Sequence, residues 1–151
     1  MSTNSEAITQ QPASAVAKLP LLAALVALVG LGDAVYLTIH HYTAEVVPCG
    51  EGFDCGAVLN SQYAEIFGIP LAVFGAAAYF AAFSLAVLAA FGNRLMWTLF
   101  GAQVSLMLVF TAWLVYLQAY VIEAYCQFCL LSAATTFVLF VIFLVSKISR
   151  R

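Results

Sequence analysis

Four cysteines are the residues in this chain best suited to chemistry, and they form two pairs. Cys49 and Cys55 are spaced C-x5-C, and Cys126 and Cys129 are spaced C-x-x-C. A thiolate attacks a disulfide sulfur in line, so two such pairs that meet can relay two electrons from one dithiol to another acceptor. The spacing C-x-x-C suits that chemistry when it opens a helix. The unpaired N–H groups there and the helix dipole favour an anion, so a thiolate is stabilised. Sulfurs at i and i+3 share one face, and Cys129 would lie about 4.5 Å beyond Cys126 along the axis. The first sulfur is then placed to meet an aqueous loop, the second to meet something dissolved deeper.

The elements that position these residues follow from composition. Of 151 residues, 65 % are hydrophobic and 8 % charged, with a mean hydropathy of +1.04. A soluble domain is roughly 45–50 % apolar and about 25 % charged. This excludes a soluble enzyme and a disordered chain. Five Lys+Arg against seven Asp+Glu make no basic face, which excludes a nucleic-acid binder. A spanning helix needs about 20 apolar residues. Four runs qualify: Leu19 to Ile39, Ile69 to Phe91, Leu95 to Val121 and Cys126 to Val145. The first is too long for the apolar core of a signal peptide and is read as a retained helix. The polar stretch over residues 1–17 is read as a disordered cytoplasmic tail, and 18–151 as one membrane domain.

Charge orients the spans. Lys18, Arg94, Lys147, Arg150 and Arg151 all fall on one side of a four-helix topology, and the positive-inside rule makes that side cytoplasmic. All four cysteines then lie on the opposite, oxidising side, as do Glu45, Glu51, Asp54, Glu65 and Glu123. The expected fold is an all-α integral membrane protein, an up-down four-helix bundle with both termini inside. In the outer loop, Pro48, Gly50, Gly52 and Gly56 around the first cysteine pair predict a flexible carrier, exposed to exchange. Ala57 to Phe67 is predicted to form a short amphipathic helix. Leu59, Tyr63, Ile66 and Phe67 would face the membrane, and Ser61, Gln62 and Glu65 would face water.

The residues resemble the vitamin K epoxide reductase family in its bacterial form. The likeness rests on Cys49 and Cys55 in the first outer loop, Val58, Ser61 and Tyr63, Gly68-Ile69-Pro70, Tyr125-Cys126-Gln127-Phe128-Cys129 with Ser132, and Gly30-Leu31-Gly32 with Tyr36-Leu37-Thr38. It covers about Lys18 to Ser146. The resemblance implies a thiol oxidase that reduces a quinone of the ubiquinone or menaquinone type in a bacterial inner membrane. Cys49/Cys55 would take electrons from a reduced thioredoxin-like oxidase, Cys49 would pass them to Cys126, and Cys129 would face the quinone. Ser61 matches the family serine and is a candidate quinone contact. The chain ends soon after its fourth helix, so the thioredoxin-like partner is expected in trans. Animal relatives carry a tyrosine where this chain has Ala133, so quinone reduction is expected rather than epoxide reduction.

Blander readings stand beside these. The cysteines could form two stapling disulfides in a structural or transport protein, although a staple does not need C-x-x-C at a helix mouth. A four-cysteine zinc site fits poorly with C-x5-C, and no metal is expected. The oxidases with C-x-x-C in the first outer loop have a different order. Asp33 is the one acid well inside a span. It is either functional, as intramembrane ionisable groups are by default, or close enough to the interface to reach water. His40 and His41 are read as interfacial polar groups. Tyr36, Tyr42, Tyr120 and Tyr125 are read as an outer aromatic belt.

Overall fold

The computed structural model describes residues 11–151. It is an integral membrane bundle of four long helices: α1 (Gln11–Thr43), α3 (Leu71–Ala90), α4 (Arg94–Leu117) and α5 (Gln127–Ser149). A single short helix, α2 (Cys55–Leu59), lies in the first loop. All four long helices are long and apolar enough to cross a membrane, over Lys18–Thr43, Leu71–Ala90, Arg94–Ile122 and Gln127–Ser149. These spans agree with the expected ones to within a few residues. The expected disordered tail lies outside the described residues as far as Gln10, and from Gln11 the backbone is already helical.

The helices form a ring in which α1 packs on α3 and α5, and α4 packs on the same two. The core is built largely of small residues on α1 and α3, including Ala23, Ala27, Ala82 and Ala86. They let backbones approach, and Tyr79, Trp97, Phe100, Leu139 and Ile142 fill the space opposite. Large apolar side chains such as Leu25, Phe80, Leu106 and Phe137 face outward, as a lipid-solvated surface requires. Gly92 (φ +94°) makes the tight turn into α4, and the Asn93 side chain accepts from the N–H groups of Leu95 (3.1 Å) and Met96 (3.3 Å). That satisfies two of the donors every helix start leaves open.

The loop departs from expectation. The helix anticipated over Ala57–Phe67 begins two residues earlier and ends at Leu59. The Asn60 amide donates to the Gly56 carbonyl (2.9 Å), and the Ser61 hydroxyl donates to the Val58 carbonyl (2.7 Å). Such side-chain bonds compete with helix continuation. The chain then forms a two-residue antiparallel hairpin, β1 (Glu65–Ile66) and β2 (Ile69–Pro70), with Ile66 opposite Ile69. Its turn needs positive φ at both central residues. Gly68 (φ +78°) meets this freely, and Phe67 (φ +53°) meets it against its own preference. At the far end of the loop region, α4 runs into a π-helical turn (Gln118–Ile122), and Glu123 (φ +57°) ends it in the left-handed region.

Candidate redox site

The site forms where the loop between α1 and α3 meets the mouth of α5. Cys49 and Cys55 are joined as a disulfide, with their Cα atoms 6.1 Å apart. Cys126 and Cys129 are free thiols, so the C-x-x-C pair does not staple the protein in this state. Asp54 caps α2, its carboxylate accepting from Ala57 N–H at 2.9 Å, and so presents Cys55 at the helix start. Two longer-range bonds hold the loop to the α5 mouth. Asp54 N–H donates to the Tyr125 carbonyl (2.9 Å), and Gly50 N–H donates to the Gln127 side chain (3.1 Å).

These ties correct one expectation. The cysteine-bearing loop is held at both cysteines rather than swinging freely. Burial supplies the physical reason: Cys55 (1 % exposed) and Val58 pack into one apolar cluster with Cys126 (0 % exposed). Cys55 thus lies within the buried cluster that holds Cys126. Cys49 sits at the edge of that cluster and is partly exposed.

Cys126 is the N-cap residue of α5, not its first helical residue, and its Sγ accepts the Cys129 backbone N–H at 3.4 Å. A sulfur replaces the oxygen usual at a cap, and a sulfur anion gains most there. The Cys126 thiol is accordingly held below the ordinary thiol range. The hydrogen bond from the Cys129 side chain contributes most, and the Cys129 and Phe128 N–H groups add to it against the opposing effect of burial. Sequence reasoning missed one positioning residue, Gln118. Its buried side-chain oxygen accepts the Cys126 N–H at 3.0 Å, across the π-helical turn. The available signal was a lone amide at the end of an apolar helix, which spacing alone did not connect to Cys126.

Cys129 has a different outlook. It lines a cavity of about 760 Å³ bounded by all four long helices and the loop, with Leu37, Phe74, Phe110 and Leu114 among its apolar walls. Cys126 is not in that wall. The size falls within the roughly 300–1,000 Å³ typical of ligand pockets, and an apolar lining with a few polar groups is their usual character. Such a wall fits an apolar ligand. Ser61 and Ala133 lie in the wall, but the Ser61 hydroxyl proton is committed to the Val58 carbonyl. Tyr36, expected in the outer belt, packs inward against His40 (4.2 Å between ring centroids) and Phe128 (5.1 Å). Tyr42, Tyr120 and Tyr125 are exposed. His41 pairs with Glu65 at 3.3 Å, which fastens the hairpin to the end of α1.

The chain is similar to known proteins. The model of the vitamin K epoxide reductase family matches residues 21–144. A thiol-disulfide oxidoreductase of Arabidopsis thaliana is 33 % identical over 118 residues, which cover 72 % of this chain. The aligned stretch is only 31 % of that relative's length, so the chain spans about a third of it.

Proposed function

Because the chain belongs to the vitamin K epoxide reductase family, we propose that it is a membrane thiol:quinone oxidoreductase supporting disulfide-bond formation. Its catalytic unit is read as residues 18–151, with both termini cytoplasmic and the four cysteines on the outer side of a bacterial inner membrane. The observation that carries the reading is the division of the cysteines. Cys55 and Cys126 share one buried cluster, Cys49 packs at its edge and is partly exposed, and of the four only Cys129 opens into the apolar cavity.

The relay then runs in four exchanges. A reduced thioredoxin-like protein attacks Cys49, breaking the Cys49–Cys55 disulfide and forming a mixed disulfide. Its second thiol resolves that bond, leaving with a disulfide of its own and leaving Cys49 and Cys55 reduced. The Cys55 thiolate next attacks Cys126 of an oxidised Cys126–Cys129 pair, releasing Cys129. Cys49 then attacks Cys55, which restores the loop disulfide and leaves Cys126 and Cys129 reduced, Cys126 departing as a thiolate. That is the state described here. The pair is reoxidised by giving two electrons to a quinone, of ubiquinone or menaquinone type, held in the cavity. The quinone supplies the redox chemistry and the chain supplies binding and orientation. The family resemblance implies the alternative order, in which Cys49 meets Cys126. Ser61 belongs to the cavity wall and would have to release the Val58 carbonyl to donate to a quinone oxygen.

Membrane vesicles carrying the full chain test the proposal. They are supplied with a reduced thioredoxin-like protein and a quinone, and quinone absorbance is followed. Cys129→Ala should bring quinone reduction to background while leaving exchange at the loop. Cys55→Ala should trap the partner on Cys49. Quinone reduction that survives Cys129→Ala would sink the proposal.

A further inference from the structure

One buried group takes no part in the relay. Asp33 is the only Asp or Glu within the described membrane spans. It is 8 % exposed, and neither carboxylate oxygen has a hydrogen-bond partner. A carboxyl in apolar surroundings with no partner is costly, and such groups are nearly always satisfied or functional. Asp33 lines the same cavity as Cys129.

The side chains around it link the two. Gly30 lies one helical turn before Asp33 and on the same face, and the Tyr79 ring packs directly on it. From there the Tyr79 hydroxyl reaches α5, where it is 2.7 Å from the Ser132 carbonyl, 2.9 Å from Ser132 Oγ and 2.8 Å from Thr136 Oγ1. Ser132 and Thr136 follow Cys129 at i+3 and i+7, so they continue its face of the helix. Asp33, Tyr79, Ser132, Thr136 and Cys129 all border the cavity. Tyr79 thus spans from the Asp33 region of α1 to the Cys129 face of α5.

Proton balance gives Asp33 a task. Closing the Cys126–Cys129 disulfide onto a quinone forms one S–S bond and two O–H bonds. Two electrons leave the sulfurs, and two protons must arrive. With Cys126 as a thiolate, the pair carries only the Cys129 proton, so the second needs another donor, and Asp33 is the buried carboxyl that borders this cavity. Resting on the quinone-reductase reading above, we propose that Asp33 is the proton-transfer residue of this cavity. Its carboxyl gives the second proton as the disulfide closes, and recovers it from the outer aqueous side, where His41, Glu45 and Tyr63 border the same cavity.

The test uses the full chain in lipid nanodiscs with a short-tailed ubiquinone, comparing wild type, Asp33→Asn and Asp33→Glu. Asn is near in shape but holds no transferable acid proton. Asp33→Asn should slow reduction of the quinone by the Cys126/Cys129 dithiol about 100-fold, the lower end of general acid–base contributions. Quinone KM should stay within about threefold, a shift well under the 1.4 kcal/mol that corresponds to tenfold. The rate should also acquire a solvent deuterium isotope effect larger than that of wild type. Asp33→Glu should restore most of the rate. Loop exchange with a reduced thioredoxin-like protein, measured separately, reports that the variants are folded. A wild-type rate in Asp33→Asn would overturn the inference and leave the proposed function standing. So would a loss confined to KM, which would make Asp33 a binding group. If the wild-type protein passes no electrons to quinone, both the function and this inference fall.

Discussion

At the scale of single residues, the two sulfurs of C-x-x-C are chemically unequal because the chain bends between them. Cys126 lies outside the helix and accepts hydrogen bonds from its first turn, whereas Cys129 lies inside it and faces the cavity. The lowered position of the Cys126 thiol depends first on the Cys129 side chain. Because the shift is downward, Cys126 keeps its thiolate to a lower pH than an ordinary thiol and loses it only as pH falls through the lowered value. In Cys129→Ala the titration, followed by thiolate ultraviolet absorbance against a Cys126→Ser blank, should move up toward the ordinary range. An unmoved midpoint would show that the helix end alone sets it. C-x-x-C at a helix start was visible in the residues. That Cys126 is the cap, and that Gln118 holds its N–H, was not, because both depend on where a π-helical turn brings α4 back toward α5.

At the scale of elements, two glycines of α1 separate helix propensity from packing. A Cβ on Gly32 would meet nothing within 4 Å, while one on Gly30 would collide with the buried ring of Tyr79, whose hydroxyl is bonded to α5. Gly32→Ala should therefore be neutral or stabilising, by up to about 0.5–1 kcal/mol, as expected for replacing a glycine inside a helix. Gly30→Ala should destabilise by about 1–3 kcal/mol, the usual cost of overpacking. Unfolding of the two variants in the same detergent checks the difference in sign. Local bonding explains why the loop helix stops short of its apolar spacing. Leu59, Tyr63, Ile66 and Phe67 do recur at helical spacing. Yet Asn60 and Ser61 spend their side chains on the preceding carbonyls, and Gly68 offers the left-handed conformation that a hairpin turn requires.

At the scale of the whole molecule, four helices enclose a cavity with one sulfur in its wall and a closed loop over the neighbouring one. Ala133 is a small residue in that wall, one turn beyond Cys129. Ala133→Phe should raise the KM for quinone by at least about tenfold, equivalent to 1.4 kcal/mol of binding. Exchange between a reduced thioredoxin-like protein and the Cys49–Cys55 disulfide should be unaltered. Steady-state quinone reduction together with gel-shift trapping of the loop cysteines separates the two, and a parallel loss of both would mean that the bundle itself had been disturbed.

Composition and the spacing of apolar runs were enough to establish four spans and their up-down order, because a bilayer demands a fixed length of apolar helix whatever packs beside it. Local chemistry likewise marked all four cysteines as one system. How the loop cysteines pack at the Cys126 cluster, where the cavity opens, and how Tyr79 links the Asp33 turn of α1 to the Cys129 face were decided only by the fold. Each depends on contacts between segments far apart in the chain, such as Asp54 with Tyr125 and Tyr79 with Ser132. Residue spacing carries no record of distances between helices that meet only once the bundle has closed.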